Sequence, residues 1–142
     1  MSQPARSDAV VTPLPGFEPL QRFRDPSLDR ETVRISPGEY YITCADEVIT
    51  TVLGSCVSAC IRDPVAGVAG MNHFMLPETD REPDWGPRIS AATRYGSYAM
   101  EQLINGLLSR GARRERLEAK LFGGARVLVG ASDVGAGNAE FA

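Results

Sequence analysis

The chain has 142 residues and a mass of 15.3 kDa, enough for one domain and too short for two independent cores. Hydrophobic residues make up 43% and charged residues 23%, an ordinary globular balance, and no apolar run approaches the ~18 residues of a membrane span. No membrane insertion is therefore expected, and a net charge of −3 argues against a broad basic surface, so no nucleic-acid partner is expected either.

In chain order, residues 1–30 read as an arm. Pro4, Pro13, Pro15, Pro19 and Pro26 fall there, and proline fixes φ and donates no hydrogen bond. The arm is expected to be partly disordered, with Phe17, Leu20 and Phe23 available to pin it to a single domain over 31–142. No charged segment followed by an apolar stretch opens the chain, so no signal peptide is expected.

Beyond the turn chemistry of Ser36-Pro37-Gly38, Tyr40-Tyr41-Ile42-Thr43 is rich in β-formers and predicts a strand. Ala45-Asp46-Glu47 predicts a turn. Val48 to Leu53 is β-branched and apolar, a second strand ending at Gly54. Val57, Ala59 and Ile61 then alternate with Ser58, Cys60 and Arg62, the period of a strand with one buried face. Gly67 to Leu76 is a further strand candidate, and residues 78–87 read as a surface loop. Ile89, Ala92, Tyr95, Ala99, Leu103 and Leu107 give helical spacing, closed near Arg110 with Gly111 as the C-terminal cap. Leu117 to Phe122 predicts a last short strand before Gly123-Gly124. Successive strands with one long helix after them indicate an α+β fold with antiparallel pairing rather than a doubly wound sheet.

Chemistry concentrates in Thr50-Thr51-Val52-Leu53-Gly54-Ser55-Cys56 and in Met71-Asn72-His73-Phe74-Met75-Leu76-Pro77. Gly54 permits a sharp turn, which would offer the N–H groups of Ser55 and Cys56 to an oxyanion. Three cysteines are too few for a disulfide scaffold and fit reduced thiols in a cytoplasmic protein. A thiol becomes a useful nucleophile as thiolate, beside a base such as His73, the single histidine. The plainer reading makes the cysteines small buried hydrophobes and His73 a satisfied structural residue. Cys44, Cys56, Cys60 and His73 would also supply four soft zinc ligands. On one strand, however, Cys56 and Cys60 would lie about 13 Å apart at 3.3 Å per residue, too far for one metal or a disulfide. Gly123-Gly124 is no phosphate loop, because no Gly-Lys-Ser/Thr follows. The basic cluster Arg110, Arg113, Arg114, Arg116 and Lys120 reads as a solvated turn.

Leu53-Gly54-Ser55-Cys56-Val57 and Gly70-Met71-Asn72-His73-Phe74-Met75-Leu76-Pro77 resemble the CheD family, the chemoreceptor glutamine deamidases of bacterial chemotaxis. Pro37-Gly38-Glu39-Tyr40-Tyr41, Ile61-Arg62-Asp63-Pro64, Arg94-Tyr95-Gly96 and Leu117 to Ala125 resemble family segments in the same order. The resemblance implies a cysteine-hydrolase fold similar to bacterial deamidating toxins, a β-sandwich of mostly antiparallel strands flanked by helices. It implies Cys56 as nucleophile, His73 as base and Thr50 as the hydroxyl that orients the imidazole, with Thr51 as the alternative one register step away. It implies no cofactor. Cytoplasmic domains of chemoreceptors would be the substrate, and a chemotaxis phosphatase a further partner. Family members continue past Gly135 to Phe141 with a helix and more strands, so the domain reads as C-terminally shortened. A shortened member could instead serve as a binding module for receptor helices or that phosphatase.

Overall fold

The computed structural model describes residues 11–17, 19–75, 91–125 and 140, with residues 91–95 described as backbone. The elements are β1 (Gln21–Asp25), β2 (Arg30–Arg34), β3 (Tyr40–Thr43), β4 (Val48–Thr50), β5 (Val57–Asp63), β6 (Val68–Asn72), α1 (Ala91–Leu108), a 3₁₀ turn at Arg114–Arg116 and β7 (Glu118–Gly123). They form two sheets. One has the order β1-β2-β4, with β1 and β2 antiparallel and β4 parallel to β2. The other has the order β3-β6-β5-β7 and is antiparallel throughout. Mostly antiparallel strands with one helix among the described residues make the fold α+β, as the succession of strand patterns indicates. None of the described helices is long and apolar enough to cross a membrane.

One core serves both sheets and the helix. Val33 and Ile35 come from the first sheet and its exit, Tyr41, Ile42, Ala59, Ile61, Val68 and Met71 from the second, and Leu103 and Leu107 from α1. Burying a side chain of the Val, Leu or Ile type is worth about 1.5–3 kcal/mol, so this shared cluster holds the layers together. The helix approaches closely because two glycines leave room. A Cβ at Gly70 would lie 2.7 Å from Leu103 Cδ1 and 2.9 Å from the Tyr41 carbonyl, and one at Gly106 would lie 2.2 Å from Ile42 Cδ1. Gly111, at φ +95°, follows the end of the helix as the cap requires.

Two carboxylates shut off from solvent are paired. The Glu47 side chain, shut off from solvent, receives Arg22 and the Tyr41 hydroxyl. Asp63, also shut off, accepts from the N–H groups of Val65, Ala66 and Arg113 at 2.9, 3.0 and 2.9 Å and from both Nε and Nη2 of Arg116. Arg116 therefore ties the basic cluster to the sheet, and its neighbours Arg113 and Arg114 stay exposed.

Two expectations change. The boundary at residue 30 divides a hairpin, because β1 lies inside the expected arm and pairs along its whole length with β2. Phe17 anchors the preceding segment, its ring meeting Tyr40 and Tyr41 edge-on at 5.3 and 5.2 Å. The strand expected over Val48–Leu53 stops at Thr50, where pairing with β2 ends at Arg34. Residues 1–10 and the expected loop 78–87 lie outside the described residues.

Candidate active site

β5 and β6 carry the site. Beyond β6 their pairing continues as a bridge in which Val57 and Phe74 exchange N–H···O bonds of 2.9 Å in both directions. Extending this register places Ser58 across from His73 and Cys56 across from Met75. Opposed residues share a face, so Ser58 within β5 shares a face with His73, and Cys56 lies just before β5 at the same end of the sheet. Cys56 immediately precedes Val57 and His73 immediately precedes Phe74, so the Val57–Phe74 bridge brings the two segments to the same end of the sheet.

His73 is fixed on all sides but one. Its N–H donates to the Glu39 carbonyl at 3.0 Å, and its carbonyl accepts from Gly38 N–H at 2.8 Å. The ring is buried, with Nδ1 2.7 Å from Thr51 Oγ1. Thr51 Oγ1 also donates to the Ile35 carbonyl at 2.8 Å. A hydroxyl has one proton. With that proton on Ile35, Thr51 accepts from the ring, so Nδ1 carries the hydrogen and Nε2 holds the free lone pair. Nε2 is buried and has no hydrogen-bond partner among the described residues. Burial pushes the His73 pKa below its ordinary value, which favours the neutral ring with its Nε2 lone pair unprotonated.

The threonine on the imidazole is thus Thr51, and the assignment of that place to Thr50 is corrected. Thr50 is the last residue of β4. It pairs with Arg34, and its carbonyl accepts from Ile35 N–H at 3.0 Å. The chain leaves strand geometry immediately afterwards, so the alternation of faces no longer decides where Thr51 points.

The three cysteines differ. Cys44 is exposed, and Cys56 and Cys60 are half-buried. Cys60 lies within β5, where burial pushes its thiol pKa up and so lowers its thiolate fraction. Cys56 precedes the strand, in the turn that begins at Gly54. Its carbonyl accepts from Gly124 N–H at 2.9 Å, and the Gly54 carbonyl accepts from Ala125 N–H at 3.0 Å. Gly123-Gly124 therefore borders the turn, a role that spacing within the chain could not reveal. Asn72 braces the other side: its Oδ1 accepts from Ala59 N–H at 2.9 Å, and its Nδ2 donates to the Ala99 carbonyl of α1 at 3.4 Å.

A recess of about 290 Å³ lies beside His73, lined by Glu39, Tyr40, Asn72, Tyr98 and Gln102 among others. A larger groove of about 400 Å³ runs over β5, β6 and β7 past Cys60, and neither Cys56 nor His73 lines it. Among the described residues no three His, Cys, Asp or Glu side chains converge as metal ligands would.

This geometry suits acyl chemistry at a thiol. A relative from Halorhodospira halophila, named "Probable chemoreceptor glutamine deamidase CheD", is 54% identical over 141 residues, covering 96% of this chain and 65% of its own length. Relatives of the same name from Janthinobacterium sp. and Caulobacter vibrioides are each 60% identical, over 121 and 111 residues, covering 84% and 78% of this chain and 59% and 57% of their own. Residues 75–142 match the family described as CheD chemotactic sensory transduction. The chain is similar to the CheD family over these spans. It spans about three fifths of the length of the curated relatives it matches. The CheD family match begins at Met75, whereas the alignment with the Halorhodospira relative, at 96% of the chain, reaches across the segments that hold Cys56 and His73.

Proposed function

We propose that this chain deamidates glutamine side chains of chemoreceptors in the cytoplasm, with Cys56 as nucleophile, His73 as base and Thr51 as the group that orients the base. The observation that carries the reading is the unpartnered Nε2 of a buried, Nδ1-anchored His73, next to the Val57–Phe74 bridge that Cys56 adjoins in sequence.

In this reading Nε2 takes the Cys56 proton and the thiolate attacks the amide carbon of the glutamine. The oxyanion forms beside the backbone N–H of Cys56. The protonated Nε2 gives its proton to the leaving nitrogen, the C–N bond breaks and ammonia departs, leaving a thioester on Cys56. Nε2 then takes a proton from water, whose oxygen attacks the thioester. The C–S bond breaks, the thiol is restored and the product is glutamate. Thr51 holds the same tautomer through both halves, since Nδ1 keeps its hydrogen throughout.

Incubating a cytoplasmic chemoreceptor fragment with the chain tests the reading, with ammonia measured and the converted glutamines mapped by mass spectrometry. Conversion by the wild type and none by Cys56→Ala is expected. Equal conversion by both would remove Cys56 from the reaction.

A further inference from the structure

We propose that Gly123 is a positioning residue for Cys56, acting through the backbone of the nucleophile turn. Its consequence for turnover rests on the reading of Cys56 as nucleophile, but its geometric basis lies in the meeting of two chain segments. The last turn of contact between β7 and β5 pairs Gly123 with Val57, and the following N–H groups reach past the strand to the Cys56 and Gly54 carbonyls at 2.9 and 3.0 Å. Both carbonyls that flank Ser55 are thereby tied to the end of β7.

The approach is too close for any side chain. A Cβ at Gly123 would lie 2.1 Å from the Cys56 carbonyl oxygen, 3.1 Å from its carbon and 3.2 Å from Val57 Cα. These are backbone atoms, unable to swing aside as the tip of a side chain does. The φ of +103° is itself one that residues with a Cβ rarely adopt. On its other edge Val57 is locked to Phe74 by two hydrogen bonds. The Cα–Cβ direction of Cys56, and with it the path of the thiol toward Nε2, is therefore set from both edges of the strand. A misplacement of about 1 Å in a reacting group costs on the order of 10²-fold in rate.

Gly111 supplies the control. Its φ is +95°, and a Cβ there would meet nothing within 4 Å, so Gly111→Ala brings the same backbone strain with no pressure on Cys56. The experiment compares wild type, Gly123→Ala and Gly111→Ala by thermal unfolding and by the pH dependence of iodoacetamide labelling at Cys56. Peptide mapping resolves each thiol, with exposed Cys44 as the internal reference. Folded Gly123→Ala is expected to lower the Cys56-to-Cys44 labelling ratio by about tenfold or more and to reduce kcat with KM little changed. Gly111→Ala is expected to lose stability and keep the ratio. An unchanged ratio in folded Gly123→Ala overturns the inference. Should Gly123→Ala not fold, Ala125→Pro, which removes the N–H donated to Gly54, decides in the same way: a lowered ratio supports the tether and an unchanged ratio overturns it. Failure of the nucleophile reading shows separately, as wild-type Cys56 that labels no faster than Cys44.

Discussion

Thr51 Oγ1 lies 2.7 Å from His73 Nδ1 and donates its own proton to the Ile35 carbonyl at 2.8 Å, so the ring donates to the hydroxyl and not the reverse. A main-chain carbonyl thus sets the tautomer of the imidazole two groups away. A neutral hydroxyl orients the ring without the charge stabilisation a carboxylate would add.

Thr51→Val keeps the shape of the side chain and removes the hydroxyl. Loss of His73 should forfeit the whole ~10²–10⁴-fold that general acid–base assistance supplies, and Thr51→Val only part of it. Thr50→Val should be much milder, since the backbone of Thr50 makes its contacts in the sheet. Initial rates of ammonia release from a receptor fragment measure all three. Equal impairment of the two threonine variants, both folded, would contradict the assignment of Thr51.

How much of this could be read in advance depends on which residues decide each feature. The strand Tyr40–Thr43 and the strand opening at Val57 declare themselves, because local β-propensity and alternation agree with their burial. The helix does so too, through the spacing that leads to Leu103 and Leu107. β1 is hidden, because Gln21-Arg22-Phe23-Arg24-Asp25 is polar and follows a run of prolines. Its stability comes from pairing with β2 and from the Arg22–Glu47 contact. Cys56 and His73 stand out as residue types in a motif. Thr51 and Gly123 do not, because one depends on where β4 stops and the other on the register of β7 against β5.

Cys60 offers an internal comparison with Cys56. Its raised pKa and its place within β5 predict that Cys60→Ser retains turnover, whereas Cys56→Ser abolishes it with the fold intact. Ammonia release beside circular dichroism checks both. Loss of turnover in folded Cys60→Ser, with Cys56→Ser active, would exchange their roles.

Asp63 should govern acid stability. Its hydrogen bonds to Arg116 hold its pKa well below the ordinary carboxylate value, so the folded state favours the charged form. The stability it contributes is complete above its unfolded value near 3.8 and is lost as pH falls through the depressed folded value. Asp63→Asn should lower the unfolding temperature at neutral pH by several degrees. Glu118→Gln, which breaks the exposed pair with Arg62, should change it little. Thermal scans at neutral and acid pH distinguish them, and equal shifts for the two variants would contradict the ranking.

His73 gives a second pH signature. Its folded pKa lies below its unfolded value of 6.5 because burial disfavours the charged ring. Its contribution to stability is therefore present above 6.5 and is lost as pH falls through the lower folded value. The acid limb of kcat/KM should accordingly lie below pH 6.5, the base staying neutral into mildly acid solution. A limb above the ordinary histidine value would mean that a different group acts as base.

The central claim is that Cys56 carries the acyl group. Acid-quenching the reaction of the chain with a glutamine-bearing receptor fragment, followed by peptide mapping, tests it most directly. The account predicts a fragment joined through a thioester to Cys56, of a mass equal to the two peptides less ammonia, and absent from Cys56→Ser. Turnover with no adduct on Cys56, or an adduct on Cys44 or Cys60 instead, would contradict it.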